Sequence, residues 1–139
     1  MRQRHAVLSL ISGIGAFDFG LEATGRFRTV AFVEKDEACQ RVLRAQFPGV
    51  PIFGDVREVN ADVLRAAGIV RIDAAAGGFP CQPHSNAGRK RGRSDDRHLW
   101  PEFARIVREV RPRWVIGENV PGIRTTAADE VLGDLEAAG

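Results

Sequence analysis

Residues 6–34 read AVLSLISGIGAFDFGLEATGRFRTVAFVE, and the fold follows from how this stretch is divided. AVLSLI (6–11) is a short apolar run, broken only by Ser9, of the kind that forms a strand buried on both faces. SGIG then supplies a glycine turn, and GAFDFGLEA (15–23) takes up a helical period that Gly25 ends. TVAFVE (29–34) is a second buried-type strand. Two such strands separated by a helix carry the signature of a βαβ unit with parallel strands, which need a crossover connection of this kind.

The same alternation continues to the end of the chain. A helix from about Asp36 to Phe47 stops at Pro48, since the residue before a proline is pushed out of helical geometry. Residues 51–53 form a short third strand, and Asn60 caps a helix through Ala67, with Gly68 just past its end. IDAAAG (72–77) is the fourth strand, Pro101 to Val110 a helix, RWVIGEN (113–119) the fifth strand, and TAADEVLGDLEAA (126–138) a last helix. The prediction is an α/β domain with a parallel sheet and helices on both faces.

At 139 residues and 44% hydrophobic content the chain forms one domain with a substantial core. No apolar run is long enough to span a bilayer and the N-terminus lacks a signal-peptide layout, so a cytoplasmic, intracellular protein with no membrane partner is expected. Cys39 and Cys81 form no CxxC pair, and His84 is not spaced for a shared site with His5 or His98, so neither a disulfide nor a metal is expected. Cys39 reads as core filler inside an amphipathic helix, and Trp100 and Trp114 as core aromatics. The net charge is only +2, but residues 89–113 carry nine Lys or Arg against four acids, while residues 114–139 carry one Arg against five acids. That basic segment suits an anionic partner such as a phosphate backbone.

In an open α/β sheet the ligand lies beyond the carboxyl ends of the strands. The residues following each predicted strand are SGIG, Glu34, Asp55, GGFPCQ and ENVPG. The SGIG turn is not the dinucleotide fingerprint, because Asp18 stands where GxGxxG requires its third glycine. Glu34 is placed to accept both hydroxyls of a ribose, which fits S-adenosylmethionine as readily as NAD. Asp55 is either an acceptor for an adenine amine or a turn cap. Cys81, in a Gly/Pro-rich loop followed by cations, is either a thiolate nucleophile or a structural thiol. Glu118 ends an apolar strand on the same edge, where carboxylates are paired or functional.

Taken together, SLISGIGAFDFGLE, VEKDEACQ, GDVREV, GGFPCQPHSNAGRKRG and GENVPGI resemble the successive motifs of the DNA (cytosine-5) methyltransferase family, with Pro-Cys-Gln at 80–82 and Glu-Asn-Val at 118–120 as the specific signals. The resemblance implies a Rossmann-like S-adenosylmethionine-dependent methyltransferase fold, incomplete at the C-terminus. It also implies that residues 1–139 are the N-terminal part of a catalytic domain whose target-recognition region and C-terminal motifs are absent. Cys81 would be the nucleophile that attacks C6 of a flipped-out cytosine, with Glu118 holding N3 and the exocyclic amine. S-adenosylmethionine would be held by Ile11, Gly13, Ile14, Gly15, Glu34, Asp55, Val56, Pro80 and Leu99, and DNA by Gln82, Ser85, Arg89, Lys90, Arg91, Arg93 and Asn119. Ser9, Ile11, Ala16, Lys35 and His84 depart from the usual family residues, which predicts weaker cofactor binding. An uncovered apolar sheet edge predicts association with a complementing C-terminal chain or with a second copy. The alternatives are an inactive remnant or binding module of the same fold and an RNA (tRNA) cytosine-5 methyltransferase; NAD-dependent oxidation is more distant.

Overall fold

The computed structural model describes residues 3–80, 99–119 and 121–139. Five strands form one parallel sheet in the order β3-β2-β1-β4-β5: β1 (His5–Leu10), β2 (Phe27–Val33), β3 (Ile52–Phe53), β4 (Ala74–Gly78) and β5 (Trp114–Glu118). The chain steps outward from β1 to β2 and β3, then returns across β1 to lay down β4 and β5. The order therefore reverses between β1 and β4, the switch point beside which ligands bind in open α/β sheets.

Helices α1 (Ala16–Ala23), α2 (Glu37–Gln46), α3 (Ala61–Ala66), α4 (Trp100–Val110), α5 (Ile123–Thr126) and α6 (Ala128–Ala138) cover the sheet. Alternation along β1 sorts the core into two layers. Val7 faces Ala74, Ala76 and Leu21 of α1, while Phe32 of β2 packs on Leu43 and Phe47 of α2. Leu8 and Leu10 face the opposite layer, where Leu64, Phe103, Ile106 and Val107 of α3 and α4 are buried. The β1–β2 register slips by one residue, from Val7↔Thr29 to Leu8↔Ala31. This bulge lets Thr29 and Phe32 share a face that strict alternation would deny them.

Most ends fall where local chemistry puts them. The Asp36 and Asn60 side chains accept the Cys39 and Val63 amides as N-caps of α2 and α3, and α2 stops at Phe47 before Pro48. Gly25 and Gly68 follow their helices with φ of 71° and 84°. Two short elements lie outside the sequence expectations: a 3-10 turn at Val56–Glu58, and α5 ahead of α6. Cys39 is half-buried rather than core filler. Trp100 is buried at 4% exposure, but Trp114 is 49% exposed because β5 is the edge strand among the described residues. Phe19 on α1 is also exposed, at 64%. No helix among the described residues is long and apolar enough to cross a membrane.

Beneath the glycine turn lies a buried carboxylate. Asp18 accepts from Ser9 Oγ at 2.8 Å and Thr29 Oγ1 at 3.4 Å, linking α1 to β1 and β2. Burial pushes its pKa up from 3.8 to about 6, against the opposing pull of those two hydroxyls. Because the folded value is raised, the Asp18 contribution to stability is complete below pH 3.8 and is lost as pH rises through about 6. The loss amounts to about 3 kcal/mol. Asp18→Asn should therefore gain stability relative to wild type between about pH 4 and 7, as measured by urea denaturation. Parallel profiles for the two proteins would contradict this.

Candidate functional site

The carboxyl ends of β1, β2 and β3 open into a cleft of about 690 Å³. Ile11, the first residue after β1, has a φ of 55°, a left-handed conformation that is strained for a β-branched side chain. It contributes to one wall, with Leu99 from the start of α4. Glu34 and Asp55, following β2 and β3, contribute to the other with Val56.

Glu34 does two things at once. Its Oε2 accepts the Gly13 N–H at 2.6 Å and its Oε1 accepts the Asp36 N–H at 2.8 Å, so one carboxylate ties the glycine turn to the start of α2. Ser12 N–H donates to the Val33 carbonyl at 3.1 Å and reinforces the tie. Each carboxylate oxygen retains lone pairs for further donors from the cleft.

Asp55 is a turn cap and a cleft residue together, so the two readings of it do not exclude each other. Its Oδ1 accepts the Arg57 N–H at 2.9 Å, and its Oδ2 faces Arg57 Nη1 at 3.2 Å and Lys35 Nζ at 3.8 Å. The backbone bond from Arg57, followed by the charges of Arg57 and Lys35, holds its pKa below the ordinary carboxylate value. Asp55 therefore stays ionised, an acceptor, at neutral pH.

Of the residues the motifs pointed to, Ile11, Glu34, Asp55, Val56 and Leu99 line the cleft. Gly13 reaches it through its bond to Glu34. Ile14 is 56% exposed and does not line it, and neither do Gly15 and Pro80. Gly15 is required elsewhere: its φ is 80°, and a Cβ there would lie 2.7 Å from Leu43 and 2.9 Å from Phe47. Lys35, Arg41 and Arg57 add cations to the rim that motif reading did not assign.

On the other side of the switch point, β4 and β5 run in register to their ends, with Gly78 opposite Glu118. A Cβ on Gly78 would sit 2.9 Å from Glu118 Oε2, so the carboxylate lies directly over that glycine. Asn119 Nδ2 donates to the Phe79 carbonyl at 2.8 Å. Phe79 is buried between Trp100 and Phe103, with ring centroids 4.7 and 5.7 Å away, which anchors the chain just before Pro80. Cys81, Gln82, Ser85, Arg89, Lys90, Arg91 and Arg93 lie outside the described residues. Among the described residues no group of His, Cys, Asp and Glu is arranged to hold a metal ion.

The family described as C-5 cytosine-specific DNA methylase matches residues 5–138. The chain belongs to that family. Among curated relatives, the type II methyltransferase M.AquIA of a Picosynechococcus strain is 39% identical over 84% of this chain and 49% of its own. M.NgoMIV of Neisseria gonorrhoeae is 37% identical over 84% of this chain and 36% of its own. The chain thus spans less than half the length of either. A crystal structure of Spodoptera frugiperda DNMT2 superposes with a TM-score of 0.76 at 21% identity, over 96% of this chain and 41% of that one, which supports the fold. A methyltransferase family and a Rossmann-like fold together imply S-adenosylmethionine as methyl donor.

Two bonds to backbone N–H groups make Glu34 structural as well as accessible. Glu34→Ala should cost about 2 kcal/mol or more by urea denaturation, and Glu34→Gln, which keeps one acceptor oxygen, roughly half as much. Equal midpoints for wild type and both variants would show that the turn holds without the carboxylate.

Proposed function

We propose that this chain supplies the cofactor cleft and the nucleophile for methyl transfer to C5 of cytosine in DNA. The observation that carries the reading is the carboxyl edge of the sheet. Glu34 and Asp55 face one cleft, and Glu118 stands against Gly78, three residues before Cys81.

The cleft fits an adenosine. The apolar side chains of Ile11, Val33, Val56 and Leu99 suit the faces of a purine, Glu34 suits ribose hydroxyls, and an ionised Asp55 suits an exocyclic amine. The bound sulfonium would supply an electrophilic methyl group.

The remaining chemistry falls to the chain. The Cys81 thiolate adds to C6 of cytosine, forming an S–C6 bond and shifting electron density through C5 toward N3 and O2. Glu118 shares a proton with N3, which neutralises the charge arriving there, and its other oxygen accepts from the exocyclic amine. C5 then takes the methyl group, the C5 proton departs to a base, and elimination of the thiolate breaks the S–C6 bond and restores the ring. A cytosine stacked in a duplex cannot be approached this way, so the base must be extruded. Gln82, Ser85, Arg89, Lys90, Arg91, Arg93 and Asn119 are assigned to the substrate side, the cations to phosphates.

The matched region is under half of either curated relative, so we assign turnover to this chain together with the remainder of the catalytic unit, on the same chain or a partner. Labelled methyl transfer to DNA and to tRNA, with the C-terminal part of a relative supplied in trans, tests the assignment. We expect label in DNA, and a loss of at least about a thousandfold in Cys81→Ala. Transfer that survives in Cys81→Ala refutes the nucleophile. Label in tRNA alone moves the substrate to RNA, and none in either nucleic acid supports a binding module.

A further inference from the structure

Arg105, in the middle of α4, makes contacts that converge on the cleft from behind. Its Nε donates to Glu102 Oε2 at 2.8 Å and its Nη1 to Glu109 Oε1 at 2.9 Å. Its Nη2 donates to two carbonyls, those of Val56 at 3.1 Å and Val59 at 2.9 Å. Val56 is the first residue of the 3-10 turn that Asp55 caps, and Val59 is the residue that closes that turn. Glu109 Oε2 also accepts the Ala61 N–H at 3.0 Å, so the same pair of side chains holds the start of α3.

Apart from the Val56 and Val59 side chains, buried at 5% and 2% exposure in the core, this segment has few anchors. β3 is two residues long and pairs only with β2 among the described residues, so the sheet releases the chain at Phe53. From Asp55 to Asn60 the backbone bonds are local, Glu58 N–H to Asp55 and Val59 N–H to Val56. Those bonds shape the turn but do not set its distance from the sheet. Core packing of Val56 and Val59 seats the segment, and the Arg105 guanidinium fixes the path of its carbonyls, because a planar fork can hold two carboxylates and two carbonyls at once, whereas a lysine ammonium cannot reach all four. A displacement of 1 Å would take these acceptors out of hydrogen-bond range.

We infer that Arg105 is a positioning residue for the Asp55–Val56 wall of the cleft, and that through it the site selects a nucleoside base bearing an exocyclic amine. The inference rests on the cofactor reading above. An ionised Asp55 held in place accepts an amine hydrogen; a base with a carbonyl at that position sets oxygen against oxygen. If the wall drifts, both bases meet a solvated carboxylate and the difference fades.

Calorimetric titration of the 139-residue chain with S-adenosylhomocysteine and S-inosylhomocysteine tests this. Wild type should favour the adenosine compound by roughly tenfold or more, and Arg105→Lys should bring the ratio toward one. Amide exchange without ligand should quicken over residues 56–61 in that variant. Should Arg105→Lys fail to fold, Glu109→Gln keeps the fork, loosens one anchor, and should give a smaller fall in the ratio. Affinities that drop together at an unchanged ratio overturn the inference and leave Arg105 a structural residue. A wild-type chain that binds neither compound overturns the cofactor reading, and the inference with it.

Discussion

One carboxylate joins the glycine turn after β1 to the chain leaving β2. Glu34 can do this because β1 and β2 are parallel neighbours whose carboxyl ends emerge side by side, Leu10 opposite Val33. The turn then needs left-handed backbone at Gly13 and Gly15, and it forces the same region on Ile11. Strain at Ile11 is tolerated because the sheet below and the Glu34 bonds above over-determine the path. The carboxylate that the fold needs also lines the cleft.

A second constraint acts across the switch point. β4 must approach β1 so closely at its end that a Cβ on Gly77 would overlap the Leu10 carbonyl oxygen. With Gly77 and Gly78 both lacking side chains, Glu118 can lean over β4, and Phe79 can turn down into the core against Trp100. α4 links the two sides: Leu99 at its start faces the cleft, Trp100 packs on Phe79, and Arg105 one turn later holds the turn behind Asp55. The Asp55 wall of the cleft and the segment entering Pro-Cys-Gln are thus braced by one helix.

Much of this was legible in the sequence because it depends on local chemistry. The change of period between AVLSLI and GAFDFGLEA, the caps at Asp36 and Asn60, and the glycines after α1 and α3 each act within a few residues. Ordered motifs located the edge on which Glu34, Asp55 and Glu118 meet. What stayed hidden depends on distant partners. Arg105 reads as one cation on an amphipathic helix until its carbonyl partners, 46 and 49 residues away, are in place. Asp18 stood out only as a misfit to a dinucleotide fingerprint, whereas its partners Ser9 and Thr29 lie on two different strands. Trp114 looks like any core aromatic, since edge and central strands differ in neighbours rather than in pattern. The Val56–Glu58 turn is too short to carry a period.

The central claim is that the carboxyl edge of this sheet is a preformed nucleoside cleft. Backbone amide shifts recorded by NMR during titration of the isotopically labelled chain with S-adenosylmethionine test it most directly. The account predicts perturbations concentrated at Gly13, Glu34–Asp36, Gly54–Arg57 and Leu99, with α6 and the Ile69–Ile72 end of the sheet unmoved. Saturable shifts centred on that opposite end, or a folded chain whose spectrum does not change at all, would contradict it.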